Sequence, residues 1–324
     1  MRLAVIGSGQ IVSDFLPHAV DVQGLELTAI FGRLSTKDRL VDFQSRFDIG
    51  RVYVDLDECL ADPDVDTVWI AVPNSLHAPF ARKALEAGKN VICEKPFVLH
   101  MDELIELRSM AVERDLILVE AITTQYLANY RWIRENIERV GDVRVIQCDY
   151  SQYSSRFDAF RAGTVLPAFD PAKGGGALLD IGIYTIHFVV GLLGRPLDVR
   201  YTANIERGVD TSGVLVLDYG DHTAVCVCAK DSDGPIRSKI QGTDGWISLD
   251  GPPNVMAAVS AKVRGGQVEH IDLNVHPHRM IEEFREFERM VREHDVVECD
   301  LRLDHSEAVL AVATMALASA GIGR

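Results

Sequence analysis

Short apolar stretches alternate with amphipathic ones through the first third of this chain, and that rhythm restricts its fold more than any other feature. Residues 3–6 are an apolar run, 11–20 a helix, 25–31 ("LELTAIF") a second strand and 36–47 a helix. Further strands follow at 65–72 ("VDTVWIAV"), 90–94 and 116–121, with helices at 78–88 and 101–114 between them. Short apolar strands separated by helices need both sheet faces covered, which predicts a parallel, doubly wound sheet of the α/β class. Gly88 supplies the stop signal expected at a helix C-terminus.

The first strand ends in Gly7-Ser8-Gly9 and passes into a helix, the setting of a dinucleotide site. Gly7 permits the tight turn and Gly9 lets the backbone approach a pyrophosphate. Gln10 and Ile11, at the helix start, offer amides and a partial positive charge. Val12 stands where a third small residue is usual, and a plain glycine turn is the competing reading. The surrounding alternation favours the dinucleotide. At the end of the second strand an NAD site normally carries an acid for the ribose 2′-hydroxyl. Here "IFGRLSTKD" has none before Asp38, and Arg33 is followed by Ser35, Thr36 and Lys37. A guanidinium there can pair with a 2′-phosphate, so NADP(H) is expected ahead of NAD(H). Ser35 and Thr36 are also candidate helix caps.

Beyond residue 121 the pattern changes. The runs 142–153, 198–208, 212–220, 223–230, 238–251 and 267–275 alternate or are rich in β-formers, predicting an open, mostly antiparallel sheet with one polar and one apolar face. Residues 175–193 form its one strongly apolar helix, and 278–294 and 305–321 two more. The expected division is a Rossmann domain over 1–121 and a second α/β domain over 122–324. A net charge of −15 argues against nucleic acid or an anionic membrane as partner. Six cysteines without a CxxC pair read as small core residues in a reducing compartment, and no metal site is expected. The N-terminal apolar run is too short for a signal peptide and no run reaches membrane-spanning length, so a cytoplasmic protein is expected.

Three stretches standing in order, "AVIGSGQIV", "VPNSLHAPFARKALEAGKNVICEKP" (72–96) and "GGGALLDIGIY" (174–184), closely resemble the glucose–fructose oxidoreductase, inositol dehydrogenase and rhizopine-catabolism (Gfo/Idh/MocA) family. The resemblance covers the whole chain at the expected spacing, and it implies a two-domain oxidoreductase acting with NAD(P) on a sugar, polyol, inositol or cyclic diol. Tyr184, where many members carry His, resembles the glucose–fructose oxidoreductase and dimeric dihydrodiol dehydrogenase branches.

The resemblance assigns roles residue by residue. Lys95, in Glu94-Lys95-Pro96, would lie between nicotinamide and substrate and stabilise an alkoxide. Tyr184 would be the general acid or base, since a phenol holds its proton at neutral pH and a nearby cation favours its loss. Asp180 would bind a substrate hydroxyl or orient Lys95, and Gly182 would let substrate approach the backbone. Pro73, Asn74 and His77 would contact the cofactor, with Glu94 holding the loop or the cofactor's sugar. Substrate selection is expected from Tyr126 and Asn129 in "TTQYLANY" and from the basic loop 151–173, where Arg161 is a candidate and the loop's length suggests a lid. His187, one turn beyond Tyr184, is either a substrate contact or a core histidine. The family also implies a homodimer or homotetramer through the second sheet.

Two other readings stay open. A sensor or regulator of the same fold would keep the cofactor and lose the chemistry, but it has no need of Lys95, Asp180 and Tyr184 together. A transhydrogenase that retains its cofactor would need slow cofactor release, and no residue demands that.

Overall fold

The structure is a computed structural model describing residues 1–323. The chain forms two compact units. Residues Met1–Ala121 and Met280–Glu307 make the first, and Ile122–Arg279 with the segment from Ala308 onward make the second.

The first unit is built on six parallel strands: β1 (Arg2–Ile6), β2 (Glu26–Phe31), β3 (Arg51–Tyr53), β4 (Thr67–Ile70), β5 (Asn90–Glu94) and β6 (Leu118–Ala121). Their order is β3-β2-β1-β4-β5-β6, with the strand order reversing between β1 and β4. That is the doubly wound arrangement predicted, and its ligands bind at the C-terminal strand ends beside the reversal. β3 was not expected; three residues with a single Val leave no periodicity to read. The helix expected over 11–20 is α-helical only over Gln10–Phe15 and continues as a 3-10 turn over Leu16–Asp21, because Pro17 cannot donate the next helical hydrogen bond.

The return of Met280–Glu307 to the first unit departs from the division expected at residue 121. The cause is one apolar stripe on the helix Met280–Glu293. Phe284 stacks on Phe15 with ring centroids 3.9 Å apart and meets Trp69 edge-on at 5.0 Å. Both Phe284 and Trp69 are fully buried.

At the β3 edge, Asp62 accepts two bonds from Arg51 (2.6 and 2.7 Å) and one from the Tyr53 hydroxyl (2.9 Å). Burial alone would raise the pKa of this carboxyl, but Arg51, the Asp64 N–H and Tyr53 hold it below the ordinary carboxylate range. A depressed folded-state pKa means the stabilisation is present above the unfolded value of ~3.9 and is lost as pH falls below it. Asp62→Asn is therefore expected to lower the melting temperature at pH 7. The deficit should shrink as the scan is repeated below about pH 4. A deficit independent of pH would contradict this account.

The second unit carries eight strands: β7 (Val143–Ser151), β8 (Asp198–Glu206), β9 (Val209–Asp218), β10 (Thr223–Ala229), β11 (Arg237–Gly242), β12 (Gly245–Asp250), β13 (Ala258–Val263) and β14 (Glu269–Ile271). The order is β14-β13-β12-β11-β7-β10-β9-β8, antiparallel except for the β7–β10 pair. The run 238–251 is a hairpin of two strands turning at Thr243-Asp244. β13 escaped the sequence reading because Ala258, Ser260 and Ala261 carry little apolar signal.

One face of this sheet packs against the apolar helix, a π-helical turn over Leu178–Gly182 followed by an α-helix over Ile183–Leu193. The stretch Pro171–Leu193 is long enough to cross a bilayer, and an 18-residue window of it is apolar enough, with mean hydropathy 1.8, contrary to the reading that no run is. However, 72 % of that window is buried inside the protein, as befits a core helix.

Candidate active site

In the first unit the turn after β1 is fixed from three strands. The Gly7 N–H donates to Phe31 O (2.9 Å) and the Ala71 N–H to Ile6 O (2.9 Å). Gly7 has φ +128°, and a side chain there would collide with the Ala71 carbonyl. Beside Gly9 the opposite holds, since an added Cβ would meet nothing within 4 Å. That open face at the start of the helix Gln10–Phe15 is the room a pyrophosphate needs. At the end of β2, Arg33 is exposed. The exposed Arg39, which the sequence reading missed, donates to Ser13 Oγ at 2.6 Å, beside the glycine turn. These residues suit a dinucleotide bearing an extra phosphate.

Glu94-Lys95-Pro96 leaves the C-terminal end of β5 and is clasped on both sides. His77 Nδ1 lies 2.9 Å from Pro96 O and Nε2 lies 2.9 Å from Val72 O. Glu120, buried on β6, accepts from the Phe97 N–H (2.9 Å) with one oxygen and from the Ser306 hydroxyl (2.6 Å) with the other. Glu94 itself is buried and accepts from the Trp69 indole at 3.2 Å. Lys95 is left half-buried at the strand end. Pro73 is exposed and Asn74 half-buried.

The expectation that His77 touches the cofactor is corrected by its surroundings. The side chain has no exposed surface and both ring nitrogens face backbone carbonyls. It ties the 72–76 loop to the Lys95 loop, and burial pushes its pKa down. Glu120, which performs the matching task, went unseen because a lone acid in a strand carries no periodic signature.

In the second unit Asp180 lies within the π-helical turn and Tyr184 one turn on, with 6 % of its surface exposed. π-turns recur at functional sites, where they re-aim side chains. The preceding glycines set up this turn. Gly176 (φ +127°) passes so close to the buried Asp210 that a Cβ would strike the carboxylate. The same carboxylate accepts from the Leu178 N–H at 2.7 Å and from the Tyr201 hydroxyl at 3.0 Å. Gly182 packs against Cys228, where a Cβ would stand 3.0 Å from the sulfur. Its smallness thus lets the helix approach the sheet, rather than a substrate approach the backbone. All six cysteines are buried thiols, as expected.

Asp180 is ion-paired with Lys230, its Oδ2 2.6 Å from Nζ. The Lys230 side chain is 2 % exposed and that of Asp180 32 %. Sequence reasoning missed this lysine, because it closes the strand run 223–230 where a solvated lysine is ordinary.

Two expected substrate contacts are corrected, and of the two readings of His187 its burial fits the core histidine. Asn129 is fully buried, donating to Met256 O (2.7 Å) and accepting from the Leu273 N–H (2.8 Å), so its amide satisfies backbone. Tyr126 is 1 % exposed and His187 not at all, with the His187 carbonyl taken by Gln125 Nε2 at 2.9 Å. All three belong to the core. Arg161 remains exposed, at the end of the helix Phe157–Arg161. The loop around it has its own small core of Phe157, Phe160, Phe169 and Val209. It is a folded element with a core of its own.

Comparison with known proteins agrees with this layout. Residues 1–121 match the oxidoreductase family with an NAD-binding Rossmann fold, and 130–248 match the GFO/IDH/MocA C-terminal domain. The scyllo-inositol 2-dehydrogenase (NADP(+)) IolU of Bacillus subtilis is 36 % identical over 90 % of this chain and 89 % of its own. Trans-1,2-dihydrobenzene-1,2-diol dehydrogenase of Danio rerio is 29 % identical over 85 % and 83 %. Among solved structures, KijD10, a 3-ketoreductase from Actinomadura kijaniata in complex with NADP and TDP-benzene, superposes with a TM-score of 0.82 at 26 % identity, covering 98 % of both chains. The chain belongs to the Gfo/Idh/MocA family of NAD(P)-dependent oxidoreductases.

Proposed function

We propose that the protein moves a hydride between NADP(H) and a ring carbon bearing a hydroxyl or carbonyl, in a cyclic polyol, sugar or dihydrodiol. The observation that carries this reading is Tyr184 one helical turn from an Asp180 that a buried ammonium holds in place. A phenol beside a fixed carboxylate is suited to transferring one proton while grasping a neighbouring hydroxyl. Lys95, clasped at the end of β5, supplies the cation that stabilises the alkoxide. The nicotinamide, when bound, gives or takes the hydride. The relatives' names, an inositol dehydrogenase and a dihydrodiol dehydrogenase, share a ring with adjacent hydroxyls, which supports that substrate class.

NADP(H) is favoured over NAD(H), in keeping with Arg33 and the missing acid at the end of β2. Pro73, Asn74 and Glu94 belong to the cofactor side of the reading, and Arg161 to the substrate side. Arg33→Asp is expected to lower kcat/KM with NADP+ roughly 10- to 100-fold, the loss of one charge-assisted contact, while leaving NAD+ turnover unchanged or improved. Equal losses with both cofactors would remove Arg33 from the discrimination.

A homo-oligomer formed through the outer face of the second sheet also belongs to this reading. Val214, Val216, Val225 and Val227 pair across β9 and β10 on that face, and Val214 is 41 % exposed. Light scattering should give a mass above that of one chain, and a monomer would refute it. The buried, reduced thiols support a cytoplasmic setting.

The test of the activity is nicotinamide absorbance with NADP+ and with NAD+ against inositols, aldoses and trans-dihydrodiols. Turnover on at least one cyclic polyol, faster with NADP+, is the expected result. Tight NADPH binding with no turnover across all classes would make the protein a sensor instead.

A further inference from the structure

The π-helical turn Leu178–Gly182 has no side-chain cap from its own N-terminal residue, and Gly176, just ahead of it, has no side chain to offer one. The sheet supplies the cap instead. Asp210, near the start of β9, is fully buried, and its Oδ2 accepts the Leu178 N–H at 2.7 Å. A carboxylate there satisfies one of the orphan amides at a helix start and suits the positive end of the helix dipole. Tyr201 on β8 donates to the same oxygen at 3.0 Å, so the acid is held by the sheet as well as by the turn. A side chain at Gly176 would occupy the place of Asp210 Oδ1, so the glycine and the acid fit only as a pair.

The Gly176 carbonyl in turn accepts the Asp180 N–H at 3.1 Å. Asp210 therefore meets the turn twice, at Leu178 by a bond and at Gly176 by contact. A π-turn holds one residue more than the α-helical register. Relaxing it would shift the residues on one side of it by one position relative to those on the other, about 100° at 3.6 residues per turn. Tyr184 stands two residues beyond the turn and Asp180 within it. Just past β10, Lys230 donates its N–H to Thr211 O (2.8 Å) and is ion-paired with Asp180. One end of the sheet thus holds the turn's backbone through Asp210 and one of its side chains through Lys230.

We propose that Asp210 is a positioning residue of the reaction, pinning the start of the π-helical turn and so fixing the direction of the Tyr184 phenol relative to Asp180. This rests on the reading that Asp180 and Tyr184 meet substrate. Asp210 acts from the interior, along the backbone, without touching substrate.

The test uses the full-length protein and a substrate found by the absorbance panel, with concentrations set by counting NADPH-binding sites so that misfolded chains do not enter kcat. Asp210→Ala is expected to lower kcat roughly 10- to 100-fold, the scale of a small misplacement of reacting groups. NADPH affinity, read by nicotinamide fluorescence, should stay unchanged. Asp210→Asn keeps an oxygen for both donors and should bring kcat back to within about threefold of the parent. In a Tyr184→Phe background Asp210→Ala should cost less than about threefold more, since the phenol it directs is gone. A full further loss in that background would show a general structural role and overturn the proposal. Parental kcat in Asp210→Ala, or Asp210→Asn as impaired as Asp210→Ala, would overturn it too.

If Asp210→Ala fails to fold by circular dichroism, Asp210→Leu combined with Tyr201→Phe provides the second arm. The leucine fills the space, and the phenylalanine removes the hydroxyl that would be left unmatched. A loss of roughly tenfold or more that disappears in Tyr184→Phe supports the proposal. Parental kcat, or a loss that persists there, overturns it. Absence of any turnover in the parent protein would instead defeat the reading of the site as a dehydrogenase.

Discussion

Tyr184→Phe is expected to lower kcat by about 10²- to 10⁴-fold, the range ascribed to a positioned acid–base group, while NADPH still binds with wild-type affinity. The substitution removes one oxygen from a side chain that is 6 % exposed and packed against Tyr150, with ring centroids 5.8 Å apart. The helix that carries it is fixed by Asp210, Gly182 and Cys228. The fold should therefore survive, and melting curves of variant and parent should nearly coincide. Lys95→Met should cause a comparable loss in turnover, because an alkoxide formed without a neighbouring cation is strongly disfavoured. Tyr184→Phe with parental kcat would remove the phenol from the chemistry and leave only the cofactor half of the account.

Glu120 governs the second large effect, which falls on stability and activity together. Its two oxygens accept from the Phe97 N–H and the Ser306 hydroxyl in a site where Glu120 is only 4 % exposed. Glu120→Ala would leave both donors buried and unmatched, at about 1–3 kcal/mol for each such group. A loss of roughly 2–5 kcal/mol in urea unfolding is expected, and kcat should fall as well, because Phe97 is two residues from Lys95. Glu120→Gln offers an oxygen to Phe97 and an amide to the serine hydroxyl, so it should recover most of both losses. If Glu120→Ala and Glu120→Gln were equally harmful, the negative charge would matter more than the hydrogen bonds, contrary to this account.

Those two residues also mark the limits of what the sequence makes legible. Tyr184 and Asp180 stand in a motif, behind glycines whose positive φ could be anticipated, and the parallel sheet announces itself through alternation. Glu120 and Lys230 have no such signature. Each is a common charged residue at a strand end, and only the three-dimensional surroundings turn one into a clasp and the other into a buried counter-charge. The opposite error befell Tyr126 and Asn129. Polar side chains near a motif suggest ligand contacts, yet a connector passing through the interior must satisfy backbone groups, and Asn129 does that with Met256 and Leu273. His77 shows the same effect inside a motif. The stripe of Phe284 and Phe287 predicts a buried helix face, but periodicity does not reveal which unit buries it. That is why Met280–Glu307 was assigned with the residues before it.

The central claim is that this chain transfers a hydride to or from a ring carbon of its substrate. Its most direct test is to reduce the cyclic ketone corresponding to the best polyol with NADPH deuterated at the nicotinamide C4 position, on each face in turn, and to weigh the product. A single deuterium is expected at the carbinol carbon from one face only, and none with Lys95→Met or Tyr184→Phe over the same interval. Product without deuterium from either face, or NADPH bound and never oxidised, would contradict it.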